Sequence, residues 1–235
     1  LEFSGNSQVP VLPANPHSGN YAFWSNRGDA SSMTLTRRFD FREIDGPITM
    51  SYWTWYDLEE SYDYLYVEAS RDNDRWEVLI TPSGTPEDPV GNSFGWGYNG
   101  NSDGWIKETV DLSDYAGKKI KLRFEYITDA AVNGEGLMVD DISIQAIEYF
   151  EDFEAGNGGW EAAGFVRIAN QVPQTYKLSL ITFGSSINVT PIRLDENNHA
   201  AINVDFSDDI YQAVLVVSGT TKFTRQPAEY FYDIR

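Results

Sequence analysis

The sequence predicts an all-β protein. Hydrophobic and polar residues alternate with a period of two along many short stretches, turn residues divide these stretches, and helical periodicity is nearly absent. The clearest stretch is residues 120–126, in which apolar and charged residues alternate without exception. In an extended strand this alternation puts all the apolar side chains on one face. We therefore expect a half-buried antiparallel strand there.

Six further strands are predicted in the first part of the chain. They span residues 32–39, 48–56, 62–70, 76–80, 106–112 and 137–147. Clusters of Gly, Pro, Asn and Asp separate them, and these residues favour turns. In the aromatic hairpin at 52–66, alternation puts Trp53 and Trp55 on the opposite face from the neighbouring tyrosines. One face must be core, and the other is either a cross-strand aromatic ladder or a sugar-stacking platform.

An acidic, Gly-rich segment at residues 148–159 predicts a domain boundary. We expect a first domain at residues 1–149 and a second at residues 150–235. Five strand candidates follow the boundary, at 175–183, 187–194, 199–206, 211–218 and 228–234. This density of strands fits a small Ig-like sandwich. The run Ala213–Val217 is apolar on both faces, which predicts its most buried strand.

The overall composition excludes several classes of function. A net charge of −19 repels phosphate backbones and anionic lipid, and no apolar run is long enough for a membrane span, so we expect neither nucleic-acid binding nor membrane insertion. The absence of cysteine excludes thiol nucleophiles, disulfides and thiolate metal sites. His17 and His199 are the two histidines, and they fall in different predicted domains. We therefore predict no zinc centre, no Ser-His-Asp triad and no catalytic residues.

A calcium site is predicted around Asp140. If Ile142 faces the core, alternation carries Asp140 to the same side and points Asp141 away. A buried carboxylate needs an ion, an arginine or several N–H donors. Because acids outnumber bases by 36 to 17, calcium is the preferred partner. The alternative is that a bulge or a frayed strand end leaves Asp140 in water. Asp29, in a second loop, suits the same ion if it lies nearby.

One N-glycosylation sequon is present, at Asn188-Val189-Thr190. It predicts a glycan on Asn188, although so short a pattern also arises by chance.

A series of motifs runs in order through residues 20–147. It includes Asn26-Arg27-Gly28-Asp29, Trp53-Thr54-Trp55-Tyr56-Asp57-Leu58-Glu59, Tyr62-Asp63-Tyr64-Leu65-Tyr66, Gly104-Trp105, Asp111-Leu112-Ser113 and Val139-Asp140-Asp141-Ile142. The series resembles the region that follows the catalytic domain in immune inhibitor A-like secreted metallopeptidases. The resemblance implies a concanavalin-type, MAM-like jelly-roll sandwich. Four segments, at residues 150–154, 158–160, 213–219 and 230–235, resemble the small C-terminal β domain of the same proteins.

The resemblance also implies structural calcium in the jelly roll. Asp29, Asp140 and Asp141 match the motif positions, and Glu2 is a weaker candidate near the first strand. The zinc-binding H-E-x-x-H sequence of these metallopeptidases is missing from the chain. The resemblance therefore implies a non-catalytic fragment or a stand-alone relative.

Together these inferences predict an extracellular or cell-surface, calcium-stabilised β module without catalysis of its own. Its partners are expected to be a protein or a glycan at the cell surface, or copies of itself. Two alternative functions stay open. One is a carbohydrate-binding jelly roll, and the other is a filament subunit assembled by strand exchange through the extended segment at residues 9–13.

Overall fold

The computed structural model describes residues 1–71 and 75–234 and confirms the all-β class. Nineteen strands are found in these residues, together with two short 3-10 turns. All twelve predicted strands are among them, and the seven others are only three or four residues long, too short for a period to be visible. In chain order, β1 to β19 are Glu2–Gly5, Gln8–Pro10, Ala22–Trp24, Ser32–Asp40, Thr49–Asp57, Tyr64–Ser70, Glu77–Val78, Ile106–Asp111, Lys119–Ile127, Gly136–Ile144, Tyr149–Glu151, Glu161–Ala163, Val166–Ile168, Gln171–Pro173, Tyr176–Gly184, Ile187–Ile192, His199–Ala201, Ile210–Gly219 and Tyr230–Asp233.

The chain folds into two compact units. The large unit is Ala14–Ala169, and the small unit combines Leu1–Pro13 with Asn170–Arg235. This division differs from the predicted boundary between residues 149 and 150. Strands β11, β12 and β13 pair with β10, β4 and β3, and Phe153, Trp160 and Phe165 are buried in the core of the large unit. The Gly-rich segment is thus a loop inside that unit.

The large unit is a sandwich of two antiparallel sheets. One sheet has the strand order β13-β3-β10-β5-β8, with β11 also paired to β10, and the other has the order β12-β4-β9-β6-β7. Side chains from both sheets form a single hydrophobic core, in which the rings of Tyr52 and Phe124 meet edge to face at 5.0 Å. Tyr52 and Tyr56 of β5 therefore face the core, whereas on β6 the core side chains are Leu65 and Val67. Strands β5 and β6 lie in different sheets, so the prediction that residues 52–66 form a hairpin is wrong.

A β-bulge in β10 changes the predicted orientation of Asp140. The register of β10 against β5 shifts between Asp140 and Ser143, and Asp141 has a φ of 49°. Asp140 lies opposite Trp53, whose face is the outer one, whereas Val139 and Ile142 are both in the core. The prediction that Asp140 shares a face with Ile142 is therefore wrong, because the extra residue of the bulge reverses the alternation.

The small unit contains two three-stranded sheets and a two-stranded ribbon. The sheets have the orders β17-β1-β19 and β16-β15-β18, and their shared core includes Phe3, Tyr176, Leu178 and Ile202. Strand β1 comes from the N-terminus, so this unit uses both ends of the chain. Strand β2 pairs with β14, and the segment predicted as an exchanging arm is thus engaged within its own chain.

Strand β18 is not the most buried strand of the small unit. It lies at the edge of its sheet, where Val214 and Val216 are 37% and 40% exposed. The apolar run led to the wrong prediction because a strand that is apolar on both faces fits a covered sheet, whereas here one face of the sheet is open.

Candidate metal centre

Three carboxylates converge where the β5–β6 connection meets the end of β9. Glu59 and Asp63 belong to the connection, and Asp129 follows β9. One oxygen of each lies within 4.8 Å of the others. Pairing of Tyr64 with Ile127 makes the two segments neighbours. We call Glu59, Asp63 and Asp129 the carboxylate triad.

Asp63 is the fully buried member of the triad. Its Oδ2 accepts a hydrogen bond from the Tyr126 hydroxyl at 3.0 Å, and its Oδ1 accepts one from the Asp129 backbone N–H at 3.0 Å. Burial raises the pKa of Asp63, and the negative charges of Asp129 and Asp29 act in the same direction. These hydrogen bonds hold the Asp63 carboxylate in place beside Asp129.

Glu59 has a buried oxygen that lacks a partner. No described residue forms a hydrogen bond with its Oε2. Loss of hydration raises the pKa of Glu59, as do the charges of Asp129, Asp63 and Asp29. A buried carboxylate oxygen without a partner costs free energy. Because all the donors are carboxylate oxygens, the set fits a hard cation such as calcium.

Asp29, a predicted ligand, lies beside the triad. Its charge contributes to the raised pKa values of Glu59 and Asp63. The Asp29 Oδ1 accepts a hydrogen bond from Asn133 Nδ2 at 2.5 Å, and the loop is tied to the end of β9 by a Thr128 hydroxyl bond to the Gly28 carbonyl at 2.7 Å. The structure thus brings Asp29, but not the other predicted ligands, to this centre.

Asp140 and Asp141 bind the segment before β3 to the outer face of the sheet through hydrogen bonds. The buried Asp140 carboxylate accepts backbone N–H bonds from His17 at 3.0 Å, Ser18 at 3.2 Å and Asp141 at 2.9 Å. Burial raises the pKa of Asp140 to about 7. The Asp141 carboxylate contacts His17 Nδ1 at 2.5 Å and accepts the Ser18 hydroxyl at 2.8 Å. N–H donors are therefore the partners of Asp140 in this structure.

The same segment covers the tryptophan face of β5. The His17 ring stacks on Trp53 with centroids 3.8 Å apart and meets Trp105 edge on at 5.6 Å. The Trp105 indole N–H donates to the Asn15 carbonyl at 2.9 Å. Trp53 is therefore packed against protein and is not an open sugar-stacking platform.

The two remaining predicted residues belong to the small unit. Glu2 lies in β1, opposite Ala201 and Asp233, and is thus in a different unit from the triad. Asn188 lies in β16, is exposed, and donates to the Ser186 hydroxyl at 3.1 Å. Its glycosylation stays a prediction.

Comparison with known families identifies the large unit. A family model described as "Immune inhibitor A-like, MAM domain" matches residues 6–170, which is more than half of the chain. The chain belongs to the immune inhibitor A-like MAM domain family. This confirms the resemblance read from the motifs. Residues 6–170 include the whole large unit, which we now call the MAM unit.

Several curated proteins are similar to parts of the chain. The pre-pro-metalloprotease PrtV of Vibrio cholerae serotype O1 is 31% identical over 130 residues, 55% of this chain and 14% of PrtV. Immune inhibitor A of Bacillus thuringiensis subsp. alesti is 32% identical over 159 residues, 66% of this chain and 22% of the relative. Bacillopeptidase F of Bacillus subtilis is 27% identical over 126 residues, 53% of this chain and 7% of the relative. The match thus spans less than a quarter of each relative.

Helices contribute little to any part of the chain that the structure describes. Within residues 1–71 and 75–234, no helix is long and apolar enough to cross a membrane.

Proposed function

We propose that the chain is an extracellular, non-catalytic accessory module whose MAM unit is stabilised by calcium and whose surfaces bind or scaffold other molecules. Membership of the MAM family supports this proposal, because the matching model describes a MAM domain and not a peptidase domain. The small share of each peptidase relative that the chain covers supports it as well. The calcium part rests on one observation, the unpartnered buried oxygen of Glu59 within the carboxylate triad.

A divalent cation would relieve the repulsion inside the triad. Two carboxylates about 4 Å apart repel by roughly 1 kcal/mol in water and roughly 4 kcal/mol near a protein surface. Calcium accepts six to eight oxygen ligands in flexible geometry, whereas magnesium retains most of its water. The triad would hold calcium through three carboxylates, and Asp29 is the adjoining acid. The ion would supply positive charge and cross-link the β5–β6 connection to the end of β9.

Calcium is expected to raise the melting temperature of wild type, and Glu59→Gln to remove most of this shift. At a hundredfold excess over its Kd, a ligand of the native state adds about 2.7 kcal/mol, which corresponds to about 5 to 10 °C for a unit of this size. Because Glu59 Oε2 has no partner, the substitution breaks no hydrogen bond of that oxygen. Without calcium the variant should therefore be at least as stable as wild type. Thermal melts with calcium and with chelator measure both effects.

Glu60→Gln is the matched control for this experiment. It removes an equal charge from the adjacent, exposed position and should retain the calcium shift. A wild-type melt that calcium does not change would contradict the calcium site. The same preparations should not hydrolyse casein, and hydrolysis that a single carboxylate substitution abolishes would contradict the non-catalytic role.

Self-assembly through the edge of β18 is a second candidate function. Strand β18 has ten residues, none of them charged, and lies at one end of its sheet in the described part of the chain. Long apolar edge strands without charge or proline pair readily with other strands. The exposed Val214 and Val216 extend the apolar character of this edge to the open face. An antiparallel pair of β18 strands from two copies would continue the sheet.

Sedimentation velocity tests this second function. Wild type should form dimers as its concentration rises, and Val216→Lys should remain monomeric because an edge lysine blocks strand pairing. Phe94→Lys is the control, since it removes an exposed apolar side chain from the MAM unit and should leave the dimer unchanged. Wild type that is monomeric at every concentration would exclude assembly by this route.

A further inference from the structure

A groove of about 290 Å³ lies at the end of the β4–β9–β6 sheet where β9 begins. It is formed by the last residues of β4 and β6 and the first residues of β9. Its charged lining residues are Arg38, Asp40, Arg71, Lys119 and Lys121. Four of these five side chains are cations, in a chain whose net charge is −19. The groove is therefore a positively charged patch on a strongly acidic protein.

Two of the cations have no acidic partner among the described residues. The Asp40 carboxylate is already neutralised, with its Oδ2 at 2.8 Å from Arg42 Nη2 and 3.4 Å from Lys119 Nζ. The hydrogen bond from Arg42 lowers the pKa of Asp40, so this acid stays ionised and paired. Arg38 and Lys121 lie directly opposite each other on β4 and β9. Like charges in such a cross-strand pair destabilise a sheet.

Elsewhere on the same face the sheet does pair its cations. Arg123, two residues further along β9, is bound by Glu68 and by Glu125. Arg71 Nη2 lies 3.8 Å from Glu77 Oε2, which is a long contact. Among the described residues, Arg38 and Lys121 are therefore the groove cations without an acidic partner, and a bound anion would remove the cost of holding them together.

The groove and the carboxylate triad lie at opposite ends of one sheet. Lys121 and Ile127 are six residues apart on β9, or roughly 20 Å, and the triad lies beyond Ile127. At physiological ionic strength the field of a charge decays over about 8 Å. An anion in the groove is thus screened from the triad and interacts chiefly with Arg38, Lys121 and their neighbours.

We propose that this groove is a binding site for a single sulfate or phosphate monoester group, held between Arg38 and Lys121 with Arg71 and Lys119 beside them. Guanidinium and ammonium groups bind such oxyanions through charge-assisted hydrogen bonds. A long polyanion is disfavoured, because beyond the groove it would meet the acidic remainder of the surface. The site is independent of calcium and of β18, so its failure would not affect the proposed function.

Amide chemical-shift titrations of the whole chain, run in chelator at constant ionic strength, test this site. The probes are a sulfated monosaccharide, a phosphorylated monosaccharide and glucuronate, a carboxylate of similar size. Wild type should show saturable shifts at Arg38, Ser70 and Lys121 with the sulfated and the phosphorylated monosaccharide. The probe that binds more tightly shows whether the site prefers a sulfate or a phosphate group. R38Q/K121Q should bind at least tenfold more weakly. Lys107→Gln, which removes an exposed lysine from the other sheet, should bind like wild type.

A thermal melt provides a second readout that does not need a ligand. Without anion, Arg38→Gln should raise the melting temperature by about 1 to 2 °C, because it removes one of two opposed like charges. If R38Q/K121Q does not fold, two single variants replace it. Lys121→Gln should weaken binding, whereas Lys121→Arg, which keeps the positive charge, should bind like wild type. Absence of saturable binding by wild type, unchanged binding by the variants, or equally tight binding of glucuronate would overturn the proposal.

Discussion

Asp140→Asn is expected to flatten the pH dependence of stability between about pH 5 and about pH 8. The pKa of Asp140 is raised from 3.8 to about 7 by burial, so the folded protein holds a proton there that the unfolded chain has released. This contribution to stability is fully present below the unfolded pKa of 3.8 and is lost as the pH rises through 7. A shift of this size corresponds to about 4 kcal/mol at most. Asparagine does not titrate, so the variant should lose this part of the slope.

Urea unfolding in chelator, repeated across this pH range, measures the effect. Burial also raises the pKa of Glu68 to about 7, so part of the slope should persist in the variant. Asp45→Asn removes an exposed charge and should leave the slope of wild type unchanged. The assignment fails if wild type is equally stable at both ends of the range, or if Asp140→Asn retains the full slope.

Gly136→Ala is expected to destabilise the MAM unit by about 3 to 5 kcal/mol. Gly136 opens β10 with a φ of +85°, where a side chain is strained. A Cβ there would also lie 2.5 Å from the Asn26 carbonyl oxygen and 2.5 Å from the Ser25 hydroxyl. The chain would have to move away at the point where Ser25 N–H donates to the Leu137 carbonyl at 2.9 Å. Urea unfolding of variant and wild type measures the loss.

Gly117→Ala separates the two contributions to this loss. Gly117 has a similar φ of +73°, but a Cβ at this position has nothing within 4 Å. The control should therefore cost only the backbone strain, about 1 kcal/mol. Equal losses for the two variants would mean that the contact with residues 25 and 26 contributes nothing.

The carboxylate triad could be predicted only in part from the sequence. The acidic turn between the aromatic strands is visible in the sequence, but nothing local connects it with Asp129, 66 residues after Asp63. Asp29 was a predicted calcium ligand and lies beside the triad, whereas Asp140 and Asp141 bind the His17–Ser18 segment instead. Which acids meet depends on the register between β6 and β9, and register is a property of paired strands.

By itself, the sequence determined the β class, twelve of the nineteen described strands, the strong negative charge and the family of the large unit. These follow from composition, from motifs and from a period of two, each of which is written in consecutive residues. Tertiary structure alone decided the bulge at Asp141, the edge position of β18, the use of β1 in the small unit and the meeting of Arg38 with Lys121. Each of these depends on which strands become neighbours, and that choice is made by burial over the whole chain.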